Sequence, residues 1–373
     1  MILSLQIVTR FLCLDWIFNA VENFLYTTIR NLATQIIALI LLFVFVKGPN
    51  SLIAYTIIMT GTNVISNIAN YFFAQKYCHI RFVINKKLLK HLKSILLLFA
   101  LDITISVYLN ADLLILGFLK NDYSVGLYSV SAKICTIVKN SLLLLFLVFL
   151  PRLSYYLGQK KIEDYHKTLN ELNNTIFSLL LPIFTGMCLL SKEIILVAAG
   201  NEYVPATLTF ILLTISLIFA FRAYFWSQCI LIPNNKEKIV LIVTIISAFI
   251  NVILNFLLIP KYDFNAAALS TIISEFIVYY ICKIEGKKTI NFKTDFKIIF
   301  KTLIGCLSIV IITLILKTVI TSIIIRTFLS IILSILVFIF VEIKINNYII
   351  KENYNILINK VKNIKFCTNK DIN

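Results

Sequence analysis

Acidic residues are scarce in this chain, and charge of either sign is thin. Its 373 residues include 18 Asp and Glu against 35 Lys and Arg, and charged residues make up only 14% of the total. Soluble domains usually carry about a quarter, so a water-soluble globule is excluded. Histidine is equally rare. His79, His91 and His166 all fall in basic loops and have no zinc-like spacing, so no metal site is expected. The eight cysteines form no CxxC pair, and several lie in apolar stretches, where they read as small packing residues rather than disulfides or ligands. The chain has no phosphate-binding glycine loop and no Ser/His/Asp set in a catalytic context, so no ATPase, catalytic residue or cofactor is expected. No secretory leader is expected either, because Arg10 and Asp15 interrupt the first apolar run.

What the sequence does have is apolar residues, at 60% of the chain. They gather into windows long enough to cross a bilayer. The fold class is therefore an all-α polytopic membrane protein. About ten full spans are expected, at 31–46, 51–73, 94–118, 125–150, 174–190, 206–232, 239–259, 265–282, 298–316 and 323–343. A short apolar run ending at Asp15-Trp16 and an amphipathic stretch at 20–30 precede them. Polar or mixed loops are expected at 151–171 and 191–205. The formal charge of +17 invites a nucleic-acid partner, but the lysines alternate with the apolar windows. If the loop at 76–93 is cytoplasmic, 25 basic residues fall on that side and 5 on the other. That is the positive-inside pattern of a multi-pass plasma-membrane protein. Segments 30–67 and 236–280 share one plan of basic start, span, Pro-containing turn and span. Either an internal repeat or the general likeness of membrane hairpins accounts for this.

Polar residues inside spans mark the candidate sites. Ser129, Lys133, Thr136 and Asn140 recur at helical spacing on one face of the 125–150 span. An intramembrane lysine needs a partner or a wet cavity. Lys133, Lys139 and Arg222 are candidate anion ligands, with snorkelling the plainer reading of Lys139. Asp102, Asp112 and Glu275 are candidate coupling-ion or gating groups. An Asp112–Lys133 ion pair and helix-packing hydrogen bonds for Glu275 are the structural alternatives. Asn251 and Asn255, four apart on one face, either meet polar groups of a substrate or bridge helices. The aromatic run Tyr224-Phe225-Trp226 reads as an interfacial belt or, alternatively, a stacking platform for a substrate.

Several stretches together resemble polysaccharide flippases of the Wzx type. These are Asp15-Trp16 with Glu22, Tyr26 and Arg30; Ala111 to Gly117; Val125 to Ser129 with Lys133; Pro151 to Ser154; Gln228 to Pro233; Asn255 to Pro260; and Ala266 to Glu275. Asp263 stands where that family usually has glycine. The resemblance implies a MATE-like two-lobe bundle lacking about the first three helices. Residues 1–75 would be the remnant of the first lobe, 94–283 the second lobe, 297–343 two extra spans, and 344–373 a basic cytoplasmic tail. It also implies transport of a polyprenyl-pyrophosphate-linked oligosaccharide across the bacterial inner membrane for O-antigen or capsule synthesis, alongside a glycan polymerase and glycosyltransferases. A drug or cation antiporter of the same superfamily and an inactive truncated relic are the alternatives. A membrane glycan polymerase or glycosyltransferase is disfavoured, because the longest external loop expected is 191–205.

Overall fold

The computed structural model describes residues 4–9, 13–20, 24–48, 51–78, 110–290, 292 and 296–347. The described residues contain nine helices long and apolar enough to cross a membrane. Of the span expected at 94–118, residues 110–119 are described, and they are helical. The chain divides into two compact units, residues 1–98 and 99–373.

In the first unit, α1 (Ser4–Thr9) and α2 (Asp15–Ala20) are short, while α3 (Phe24–Phe45) and α4 (Leu52–Ala74) are spans. The amphipathic stretch expected before the first full span is continuous with it, so Phe24 opens one 22-residue helix. Arg30 Nη2 donates to Asp15 Oδ1 at 2.8 Å, and Asn70 Nδ2 donates to the same oxygen at 3.0 Å. Tyr26 stacks on Phe73 with ring centroids 3.8 Å apart, and Phe18 fills the space beside them. The Asp15, Tyr26 and Arg30 side chains of the family-like motif thus form one polar and aromatic knot across α2, α3 and α4.

Among the described residues, the second unit opens with α5 (Asn110–Leu119) and α6 (Asp122–Gly158). Asn121 caps α6 by accepting from the Ser124 amide at 3.0 Å. Then follow α7 (Ile162–Leu189), α8 (Ser191–Ala199), a 3₁₀ turn (Asn201–Ala206), α9 (Thr207–Tyr224), a π-helical turn (Phe225–Leu231), α10 (Glu237–Tyr262), α11 (Phe264–Thr289), α12 (Phe296–Val319) and α13 (Ile323–Lys344). The segment expected as a polar loop at 151–171 is helical except for the tight turn between Gly158 and Ile162. Pro151 sits inside α6, whose 37 residues extend about 55 Å. That is well beyond a hydrocarbon core of about 30 Å, so its polar end stands in water and keeps its helix. The expected 191–205 loop is likewise α8 plus the 3₁₀ turn.

Burial follows the logic of a membrane. Large apolar side chains cover the outside, as on α10 at Leu241, Ile245, Phe249 and Phe256. Small polar residues turn inward, including Ser247, Asn251, Asn255, Ser270 and Thr302. Lipid already solvates leucine, so close packing and hydrogen bonds join the helices instead. The most enclosed helix is α9, which packs against α6, α7 and α11. A charged cluster unread in the sequence ties the last two spans to this core. Glu193 on α8, 5% exposed, meets Lys317 at 3.1 Å and Arg326 at 3.5 Å.

Asp263, between α10 and α11, has φ of 55° and ψ of −142°. A glycine reaches that conformation freely, whereas a side chain strains it. That conformation is a physical reason why a glycine would suit this turn better than Asp263.

Candidate functional site

Four helices of the second unit carry a network centred on Asp112. Its Oδ2 accepts from the Tyr128 hydroxyl at 2.7 Å and the Thr271 hydroxyl at 2.8 Å, and its Oδ1 accepts from Asn255 Nδ2 at 2.6 Å. One carboxylate on α5 therefore binds α6, α10 and α11. A second layer closes behind it. Asn255 Nδ2 also donates to Asn251 Oδ1 at 3.1 Å, and Ser270 Oγ donates to Asn255 Oδ1 at 2.5 Å. Asn255 and Ser270 are fully buried. The smallest spacing rules put these groups together: 251 and 255 share a face of α10, while 270, 271, 274 and 275 occupy adjacent turns of α11.

In front of this network lies a cavity of about 460 Å³. Its walls include Asp112, Ser129, Lys133, Lys139, Asn251 and Glu275. Of the polar stripe on α6, Ser129, Lys133 and Thr136 line this cavity and Asn140 does not. Lys139 also faces the cavity, with its Nζ 3.5 Å from Glu275 Oε1 on α11. Lys133 is exposed to the cavity and has no hydrogen bond or ion pair among the described residues. An ion pair between Asp112 and Lys133, expected from their neighbouring helices, is absent. Neutral donors from three helices engage Asp112, and the lysine–carboxylate contact forms instead at Lys139, further along α6.

Arg222 is placed elsewhere. It is 6% exposed and donates to Asn173 Oδ1 at 2.5 Å, with its guanidinium 4.8 Å from the Phe177 ring centre and 5.3 Å from that of Phe225. Among the described residues, aromatic faces and an amide hold this cation without a carboxylate. It does not line the cavity. Among the described residues, the charged ones that do are Asp112, Glu275, Lys133 and Lys139, so that lining is formally neutral rather than cationic. Phe225 and Trp226 are buried in the π-helical turn, 0% and 1% exposed, and so form core rather than an interfacial belt or a stacking platform. The indole packs on Gly286 of α11. Asp102 lies outside the described residues. The sequence reading missed Tyr128, Ser270 and Thr271, which are ordinary residues in a span; the signal that would find them is their convergence on Asp112.

Comparison with known proteins agrees with this architecture. Residues 1–157 match the family described as polysaccharide biosynthesis protein. The fold is similar to that of a lipid II flippase, MurJ, in an inward closed conformation, with a TM-score of 0.72 and 19% identity, covering 91% of this chain and 72% of that one. The chain is similar to two curated proteins of polysaccharide synthesis. It is 29% identical over 228 residues to the capsular polysaccharide biosynthesis protein CapF of Staphylococcus aureus, and 24% identical over 281 residues to a putative O-antigen transporter of Shigella dysenteriae. Those alignments cover 58% and 70% of this chain, which spans 56% and 66% of the lengths of these two relatives. The nine apolar helices among the described residues and this fold are those of a multi-pass membrane protein.

Proposed function

We propose that the chain translocates a polyprenyl-diphosphate-linked oligosaccharide across the inner membrane for surface polysaccharide synthesis, receiving it from glycosyltransferases and passing it to a glycan polymerase. The observation that carries this reading is the unpaired Lys133 ammonium in a polar cavity at membrane depth. Desolvation makes such a cation costly without an anion, and a compact ammonium suits a diphosphate. Lys139, on the same helix, is a second ligand. Asn251 offers an amide at the cavity wall for sugar or phosphate. Asp112 takes the coupling or gating role, because its charge joins α5 to three other helices. A drug or cation antiporter fits less well, since both cavity carboxylates are already engaged, Asp112 by neutral donors and Glu275 by Lys139.

The test is complementation of a strain that lacks its own flippase. Lys133→Ala should reduce surface polysaccharide at least tenfold at unchanged protein level, and Lys133→Arg should restore a measurable part of it. Wild-type surface polysaccharide with Lys133→Ala would remove the lysine, and the reading with it.

A further inference from the structure

Among the described residues, the cavity that this reading assigns to a diphosphate carries no net positive charge. Its two lysines are balanced by Asp112 and Glu275. The two carboxylates are held very differently. Asp112 accepts three hydrogen bonds of 2.6–2.8 Å from three helices. Glu275 has Lys139 as its one ionic partner among the described residues, at 3.5 Å, with 24% of its side chain exposed against 40% for Lys139. A tight ammonium–carboxylate hydrogen bond is about 2.7–2.9 Å, so this contact is loose, and part-exposed pairs of this kind contribute little stability. Glu275 also lies one helical turn beyond Thr271, on the same side of α11. An anion arriving at Lys139 therefore enters the field of a carboxylate that must give way.

We infer that Glu275 is a built-in competitor for the anionic group of the substrate, holding Lys139 while the cavity is empty and yielding it to an incoming diphosphate. This rests on the reading that the cavity takes a diphosphate. Lys133 and Lys139 are six residues apart, about 9 Å of helix rise, and their flexible stems let both ammoniums converge on one anion. Lys133 is available from the start, and Lys139 becomes so only when Glu275 is displaced. A dianion repays that exchange better than a single negative charge. Glu275 thus sets a threshold that favours diphosphate over monoanionic lipid headgroups.

The test is binding of geranyl diphosphate to the purified full chain in detergent, measured by calorimetry, with geraniol as the neutral control. Glu275→Gln should tighten binding about two- to fivefold, the range set by removing a weak competing ion pair. Lys139→Gln should weaken binding, and adding Glu275→Gln to Lys139→Gln should bring no gain. Glu275→Ala, run in parallel, removes the same charge in case the glutamine variant misfolds. Unchanged or weaker binding in both Glu275 variants, with wild-type binding that still depends on Lys133, would overturn the competitor role and leave the diphosphate reading standing. No binding to the wild-type protein, or binding indifferent to Lys133→Gln, would overturn both.

Discussion

Asp112→Ala should severely deplete folded protein in the membrane, whereas Asp112→Asn should leave most of it in place and still abolish transport. The carboxylate accepts from Tyr128, Asn255 and Thr271. Removing it does not orphan all three donors equally. The Thr271 hydroxyl also reaches the Ala267 carbonyl at 2.8 Å, and the Asn255 amide reaches Asn251. The Tyr128 hydroxyl, on a side chain 4% exposed, loses its acceptor. Hydrogen bonds between neutral groups in membrane proteins average about 0.6 kcal/mol, but bonds to a charged acceptor are worth about 1.5–3 kcal/mol each. A net loss of about 2–4 kcal/mol is therefore expected for alanine. Asparagine keeps a carbonyl acceptor, and the two hydroxyls can accept from its amide, so its cost should be about 1 kcal/mol. Membrane abundance and the thermal midpoint in detergent read the first effect, and surface polysaccharide reads the second. Wild-type abundance for Asp112→Ala would show that the network does not hold the helices. Because Lys133 does not pair with Asp112, Asp112→Asn and Lys133→Gln should add in stability to within about 0.5 kcal/mol.

Gly305→Leu should be comparably damaging, through packing rather than charge. A Cβ at Gly305 of α12 would run into Glu342 Oε1 and lie 2.7 Å from Phe338 Cε2, both on α13. Both neighbours are enclosed, so a shift of either must displace what surrounds it. Glu342 is fully buried and accepts from Asn347 Nδ2 at 2.6 Å, and Phe338 is 5% exposed. Overpacking of this kind costs about 1–3 kcal/mol even for one added methyl, so leucine should exceed that and force α12 and α13 apart. The control is Gly61→Ala in α4, where a Cβ meets nothing within 4 Å and which should be neutral or slightly stabilising. A thermal midpoint unchanged by Gly305→Leu would mean that the hairpin does not pack as described.

The spans were legible because length and hydropathy are local properties of the chain. The ends of the helices were not. Pro151 and the polar residues after it look like a loop in sequence, yet α6 carries them as helix beyond the bilayer, and α7 starts only a few residues later. The candidate site divides in the same way. Lys133, Lys139, Asn251 and Glu275 announced themselves as polar groups in apolar spans, and the structure brings them to one cavity. The same signal pointed to Arg222, and there it led away from the cavity. What surrounds that guanidinium is Asn173 and Phe177 on α7 and Tyr279 on α11, and no local pattern encodes such a meeting. Tyr128 and Thr271 were invisible for the complementary reason. Each is unremarked alone and becomes significant only when three helices aim donors at one carboxylate.

The central claim is that this cavity carries a lipid-linked glycan across the bilayer. The most direct measurement reconstitutes the chain in liposomes with a polyprenyl-diphosphate-linked oligosaccharide bearing a fluorescent sugar. A membrane-impermeant quencher then reports the fraction reaching the opposite leaflet. The account predicts translocation well above that of protein-free vesicles, lost in Lys133→Ala and Asp112→Asn. Rates equal to those of protein-free vesicles, or unaffected by either substitution, would contradict it.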